Sequence, residues 1–159
     1  MTGTFNTMPN TDAATSDWEA QRAAHDRLHA ELQPHNKAAL FDALTATGVT
    51  LVVVSFDGYG DSGQIENIEV KSADGIAAMP EDKIEIASVV WGQPEPDRST
   101  VSIADAIECL VYDLLNDTHY GWENNDGAYG DFTFDVAKRT ITLDYNERYT
   151  ASEYSQHVF

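Results

Sequence analysis

A predicted loop rich in aromatic and polar residues contains the side chains best suited to chemistry. His119, Glu123 and Asp126 supply an imidazole and two carboxylates there, close in sequence to Trp122 and Tyr129. An imidazole within hydrogen-bonding distance of a carboxylate can act as a general acid or base. The same composition is typical of an ordinary polar loop, and that is the interpretation we favour. We therefore predict no catalytic residues, with a small hydrolase or transferase that uses His119, Glu123 and Asp126 as an alternative.

A second segment with a chemical signature follows a predicted strand. Gly58, Gly60 and Gly63 have the spacing GxGxxG. In a dinucleotide-binding fold the third glycine opens a helix whose N-terminus meets the pyrophosphate. Here a strand-like sequence follows instead, and Asp57 and Asp61 would repel phosphate. We interpret the segment as a hairpin loop whose glycines allow positive φ angles, and we predict no nucleotide and no other cofactor.

The same loop offers oxygen ligands for a hard cation. Asp57, Asp61 and Glu66, together with the backbone carbonyls between them, have the chemistry that Ca²⁺ prefers. Their register differs from that of an EF-hand, because Ser62 stands where the invariant glycine is needed and Ile68 where the bidentate glutamate is needed. A calcium-binding module at the loops rich in glycine and acidic residues is the second alternative, and we assign no metal.

One pair of histidines has the spacing of metal ligands. His25 and His29 are separated by one helical turn, so they lie on the same face of a predicted helix. A transition-metal site in a protein takes at least three ligands, and no third ligand lies at a useful spacing. A solvated helix face is the simpler interpretation.

The strongest property of the chain is its charge. Its 159 residues include 27 acidic and 9 basic side chains, which gives a net charge of −18. Nucleic-acid affinity comes mainly from lysine and arginine, and anionic membranes repel an acidic surface. An acidic field attracts basic proteins and steers their encounter. We therefore expect the partner to be a basic protein that itself binds nucleic acid. We expect no direct binding to nucleic acid or to a membrane. The competing explanation is that the charge serves solubility alone.

Acidic residues are concentrated in two segments that contain no lysine or arginine. Residues 102–137 contain eight of them and residues 57–70 contain four. The two segments need not touch, but a helix packed on a hairpin could gather these acids on one side. Carboxylates at the charge density of duplex DNA, roughly one per 1.7 Å, would imitate DNA to a basic groove. The predicted partner-binding residues are Asp113, Asp117, Glu123, Asp126 and Asp131. The predicted loop residues of the site are Asp57, Tyr59, Asp61, Trp122 and Tyr129.

Three helices are predicted to position these residues. The first begins at an N-cap at Asp17 and ends at Pro34, and the second runs from Asn36 to a C-terminal Gly48. The third has Ser102 as its N-cap and Asp105 three residues later, an acidic form of the capping box. Its apolar stripe, which indicates packing on a sheet, consists of Ile103, Ala106, Ile107, Leu110, Val111 and Leu114.

Five strands are predicted from β-branched runs and alternating patterns. They span Thr50–Phe56, Gln64–Val70, Lys83–Trp91, Asp131–Val136 and Thr140–Tyr145, with Gln93–Arg98 as a linker and Asn116–Gly130 as a loop. The first two strands and the last two are each expected to form a hairpin. Runs of strands with few helices predict an α+β fold, with an antiparallel or mixed sheet of about five strands and helices packed on one face.

The domain organisation and the compartment follow from composition. Residues 1–16 are rich in Thr, Asn, Asp and Ala and are predicted to be a disordered tail without the features of a signal peptide. Residues 17–159 are predicted to form a single domain. The one cysteine, Cys109, cannot form an internal disulfide, and no apolar run reaches the roughly 20 residues of a membrane span. We therefore expect a cytoplasmic protein.

Three segments resemble an uncharacterised bacterial family, a domain of unknown function found on plasmids, phages and integrated mobile elements. They are FDGYGDSGQIE at 56–66, GWENNDGAYGDFTFD at 121–135 and TLDYNERY at 142–149. The resemblance extends from Val49 to the C-terminus. It implies an accessory protein of a mobile element, a setting in which small acidic proteins often inhibit host defence as anti-CRISPR or antirestriction proteins. It implies no particular activity and no site residues.

Overall fold

The computed structural model describes residues 7–60, 62–124 and 126–159, with side chains from Asp17 onwards. Its elements, in chain order, are α1 (Thr7–Ala46), β1 (Val49–Tyr59), β2 (Ser62–Ser72), β3 (Gly75–Ala77), β4 (Lys83–Ser88), β5 (Asp97–Ser102), α2 (Ile103–Thr118), β6 (Ala128–Asp135) and β7 (Thr140–Glu147). The predicted α+β class is confirmed.

The strands form two antiparallel sheets. The larger sheet has five strands in the order β3-β2-β1-β6-β7, and β4 pairs with β5 in a separate hairpin. The two hairpins expected from the sequence, β1–β2 and β6–β7, therefore lie side by side, joined through β1 and β6. The predicted third strand is shorter than expected and does not join the larger sheet. The predicted linker after it contains the start of β5.

The two faces of the larger sheet differ in composition. On one face, which we call the covered face, Val52 and Val54 of β1 lie opposite Phe134 and Phe132 of β6, and all four are buried. Both helices contribute buried residues to the same core. Strand alternation places Ser55, and the residues of β1 two positions before and after it, on the other face, outside that core. We call this second face the open face.

The first helix corrects two predictions. A single helix, α1, runs through Pro34, where the sequence predicts a break, and Asp17 lies inside it rather than at its N-cap. Proline removes one backbone donor from a helix, and tertiary contacts stabilise α1 beyond that point. Asn36, predicted to cap a new helix, instead pairs with the backbone of Ala87 in β4 at 2.8 and 2.9 Å. Phe41 follows, fully buried in the core.

The N-terminal tail prediction falls partly outside the described residues. Residues 1–6 are not described, and α1 already begins at Thr7, within the segment predicted to be disordered. Neither α1 nor α2 combines the length and apolar composition needed to cross a membrane, as far as the described residues extend.

The N-cap and most of the apolar stripe predicted for α2 are confirmed. The Ser102 hydroxyl accepts a hydrogen bond from the Asp105 backbone N–H at 3.1 Å, as a capping box requires. The predicted apolar stripe is buried except for Leu114, whose place in the core is taken by Leu115. The helix ends at Thr118 and β6 starts at Ala128, so the predicted loop from Asn116 to Gly130 is shorter at both ends.

Candidate functional site

The two glycine-rich segments lie next to each other in the structure. β1 and β6 pair so that Asp57 lies opposite Tyr129 and Gly58 lies opposite Ala128. Both segments therefore form the same end of the larger sheet. We call this end the glycine corner and define it by Gly58, Gly63, Trp122, Gly127 and Arg148.

The spacing of Gly58 and Gly63 is explained by an indole ring. Trp122 is buried, and its ring packs directly on the backbone of both glycines. A Cβ atom at Gly58 would lie 2.6 Å from the indole Cζ3, and one at Gly63 would overlap the same ring. The rings of Phe56 and Trp122 form a T-shaped pair with their centroids 5.4 Å apart. Of the three glycines in the GxGxxG pattern, only Gly60 has the positive φ that the sequence interpretation expected.

Gly127 brings the second segment against the first. Its φ is +80°, and a Cβ atom there would overlap the carbonyl oxygen of Gly58. No L-amino acid with a side chain fits without a shift of that backbone. The corner therefore depends on three glycines. Gly58 and Gly63 leave room for the indole ring, and Gly127 allows two backbone segments to touch.

Arg148 ties the third segment to the corner. Its guanidinium donates to a carboxylate oxygen of Asp57 at 2.8 Å and to the carbonyl of Gly58 at 3.3 Å, and it lies 4.6 Å from the centre of the Tyr129 ring. Its backbone N–H donates to the carbonyl of Gly127. The hydrogen bond with Asp57 raises the pKa of Arg148 above its ordinary value. Sequence reasoning missed this residue, although it is the one base within TLDYNERY.

The residues proposed for catalysis are only partly brought together. His119 and Asp126 line one cavity of about 250 Å³, while Glu123 lines a different one with Ser62 and Gly63. The imidazole of His119 stacks on Tyr145 with ring centroids 3.6 Å apart. Among the described residues, no carboxylate forms a hydrogen bond with this imidazole. The Asp126 carboxylate accepts instead from the Thr150 hydroxyl at 2.6 Å.

The pKa of Tyr145, the stacking partner of His119, is shifted by its surroundings. Desolvation, with smaller contributions from the carboxylates of Glu147 and Glu123, raises the pKa of the Tyr145 hydroxyl above its ordinary value. Tyr145 is therefore a neutral aromatic partner for His119 at physiological pH.

All three segments that carry the resemblance thus meet at the glycine corner. A protein-family model described as a family of unknown function, DUF6878, matches residues 32–159. The chain belongs to this family. The matched part of the DUF6878 chain includes every strand, α2 and the C-terminal part of α1. No curated protein and no solved structure matches the chain.

The predicted partner-binding residues of this DUF6878 chain fall on different surfaces. Asp113 and Asp117 lie on α2, on the helix side of the sheet, where the carboxylate of Asp117 accepts from Gln33 at 2.9 Å. Asp131 lies on the open face, where it accepts from the Ser55 hydroxyl at 2.6 Å. Glu123 and Asp126 belong to the loop at the glycine corner. The expectation that α2 and a hairpin gather all of these acids on one side is therefore not met.

The predicted loop residues also separate by environment. Trp122 is buried under the corner, while Tyr59 and Tyr129 are exposed, and Asp57 is paired with Arg148. Asp61 lies outside the described residues. Within the described part of the chain, no three side chains of the metal-binding types cluster closely enough to hold an ion; the loop-calcium hypothesis, which includes Asp61, stays a prediction.

The structure reveals an acidic surface that the sequence did not define. Strand register places five acidic residues and one lysine on the open face, and Arg148 reaches its edge. The acids are Asp57, Glu69, Asp131, Asp135 and Asp144, and the lysine is Lys71. Asp131 and Asp144 lie directly opposite each other on β6 and β7.

Proposed function

We propose that this chain is a non-enzymatic binding module whose open sheet face engages a basic, nucleic-acid-binding protein. The observation that carries the proposal is the open face itself, a sheet surface outside the core with five acids against Lys71 and Arg148. The alternation of β1 and β6 places carboxylates on one side of the sheet while phenylalanines fill the other.

The pairing of carboxylates on this face supports a role in binding rather than in folding. Like charges placed directly opposite each other in an antiparallel pair destabilise the sheet by roughly 0.2–1 kcal/mol. Asp131 and Asp144 are such a pair, and no described basic side chain forms an ion pair with either. A basic partner would relieve this repulsion, so the surface gains stability when it is covered.

Exposed aromatic residues lie at the end of the same face. Tyr59 and Tyr129 alternate onto the open side with Asp57, and both rings are exposed. Tyrosine and arginine are enriched in protein interfaces because they combine a large contact area with a polar end. Arg148 over Tyr129 gives the acidic surface a rigid border, and we propose that this border fixes the orientation of the partner.

The biological setting is part of the proposal. The resemblance to a family found on mobile elements supports an accessory protein that inhibits host defence, of the anti-CRISPR or antirestriction kind. An acidic face that competes with DNA for a basic groove is one physical route to such inhibition. Analogy with other small acidic proteins of mobile elements supports this role.

The experiment is a capture assay from nuclease-treated bacterial lysate with three tagged proteins at low and moderate salt. The first is the wild type, and the second carries Asp131→Lys, Asp135→Lys and Asp144→Lys. The third is a charge-matched control that carries Glu31→Lys, Glu95→Lys and Glu108→Lys at exposed positions away from the open face.

We expect a basic protein to be retained by the wild type and the control, lost from the open-face variant, and weakened by salt. Duplex DNA should compete with the chain for that protein. Equal capture by all three proteins, or equal loss from both variants, would contradict an interface on the open face.

A further inference from the structure

A groove of about 410 Å³ lies between α1, α2 and β4, away from both the glycine corner and the open face. Its volume is in the range of small-molecule sites, which are mostly apolar with a few polar groups that fix orientation. About half of the residues that line it are aliphatic, and the polar groups include His25, His29 and Asp113. The aliphatic residues include Leu32, Leu40, Ile86, Val89 and Leu110.

The Asp113 carboxylate is the unusual group in this groove. It is half-buried, and no described residue donates a hydrogen bond to it or forms an ion pair with it. One helical turn further along α2, the exposed Asp117 accepts a hydrogen bond from Gln33 at 2.9 Å and lies 3.8 Å from the imidazole of His29. Asp113 therefore presents a desolvated, unpaired carboxylate to the cavity.

The half-buried position of Asp113 makes its carboxylate harder to ionise. Burial raises the pKa of Asp113 above its ordinary value, against the opposing effect of His29 and with a smaller contribution from Asp117. A half-buried carboxylate without a partner is costly to ionise, and a cation placed beside it removes that cost. An anionic ligand would meet the same carboxylate and the net charge of the chain, both of which repel it.

We propose that the groove binds a small organic cation, with an ammonium group at Asp113 and an apolar body against the aliphatic wall. The ligand class follows from the two parts of the site. The carboxylate selects the charge, and the wall formed by α1, β4 and α2 selects an apolar body of limited size. A metal ion is a poorer fit, because no three ligating side chains cluster among the residues that the structure describes.

Cys109 provides a reporter inside the groove. It lines the same cavity, it is exposed, and it is the one cysteine of the chain. Alkylation by iodoacetamide therefore modifies a single thiol, and we expect a ligand that lies beside this thiol in the groove to slow the reaction. Although the residue is exposed, partial desolvation of the sulfur, together with the nearby Asp113, Asp105 and Glu108 carboxylates, raises the pKa of this thiol, so the assay is best run above neutral pH.

The test uses phenethylamine as the probe and 2-phenylethanol as its neutral isostere. Titration calorimetry measures both affinities, and the alkylation rate of Cys109 locates the binding. The variants are Asp113→Asn and, as a matched control, Glu108→Gln, which removes one charge from an exposed position on the same helix. This test is independent of any partner on the open face.

We expect phenethylamine to bind at least about tenfold more tightly than the alcohol, a difference of about 1.4 kcal/mol. It should slow Cys109 alkylation in the wild type and in Glu108→Gln, and lose both effects in Asp113→Asn. Equal affinity of the amine and the alcohol would overturn the proposal, as would equal affinity of the two variants for the amine. Absence of phenethylamine binding to the wild type would also overturn it.

Discussion

The two faces of the larger sheet are formed by the same strands and yet follow different physical rules. On the covered face, Phe132 and Phe134 are buried against the helices. On the open face, Asp131 and Asp135 of the same strand are left outside the core, and Asp131 lies opposite a second aspartate, Asp144. One face is arranged for packing, and the other keeps a repulsive pair that packing does not require. Charge retained at a cost to stability supports the binding surface that we propose.

The largest expected contrast comes from adjacent residues on the two faces. Phe132→Ala should lower the free energy of unfolding by about 3–5 kcal/mol, because it leaves a cavity in the core. Thr133→Ala changes the next residue, which is half-buried on the open face opposite Thr142, and should lower the free energy of unfolding by no more than about 1 kcal/mol. Urea unfolding measures both. Similar costs for the two variants would show that the open face is packed against something.

The glycine corner offers a second, matched contrast. Gly127 and Gly48 both have φ = +80°, but a Cβ atom at Gly127 would overlap the Gly58 carbonyl, whereas one at Gly48 meets nothing within 4 Å. Gly48→Ala should therefore cost only the left-handed strain, roughly 1–2 kcal/mol. Gly127→Ala should cost more, on the order of 3 kcal/mol, because the paired strands must also separate. Thermal unfolding that ranks the two equally would contradict the close contact.

The repulsion on the open face can be tested by reversing one charge. Asp144→Lys places a lysine opposite Asp131 and should raise the free energy of unfolding by roughly 0.2–1 kcal/mol. The gain should shrink as salt is added, since the pair is exposed. A destabilised variant at low salt would mean that Asp144 already stabilises the fold through some other contact.

The smallest expected effect concerns Asp113 on the helix layer. Because its pKa in the folded protein is raised above the ordinary 3.8, the folded state holds this proton more tightly than the unfolded state does. The contribution of this proton to the free energy of unfolding is present at low pH and is lost as the pH rises through the raised pKa. Asp113→Asn should therefore stabilise the protein at pH 7, with no gain below pH 3.8. Melting temperatures of the wild type and the variant across a pH series test this. A stabilisation by Asp113→Asn that increases as the pH falls would contradict the prediction.

The fold could largely be predicted from local patterns. The alternation in β6 and β7 and the cap and stripe of α2 are local signals, and the structure bears them out. The break predicted at Pro34 is wrong because Asn36 is held by β4, 51 positions away in the chain. A contact of that kind leaves no local signal.

The candidate site shows the same limit. The glycine segments and TLDYNERY could be singled out from sequence, but not the indole of Trp122 that requires Gly58 and Gly63. Strand register decides which acids share a face. The register of β6 and β7 places Asp131 opposite Asp144, whereas Asp113 lies on α2. Arg148 escaped notice because its partner, Asp57, lies 91 positions earlier.

The most direct test of the central claim is the affinity of the captured basic partner for the three proteins of the capture assay, measured across a series of salt concentrations. We predict that the wild type and the charge-matched control bind with the same affinity and the same decline with salt. The Asp131→Lys, Asp135→Lys, Asp144→Lys variant should lose binding while it keeps a cooperative melting transition, although it removes the carboxylates that accept from the Ser55 hydroxyl and from the Lys138 backbone N–H. If that variant binds as the wild type does, the open face is not the interface and its carboxylates serve solubility alone.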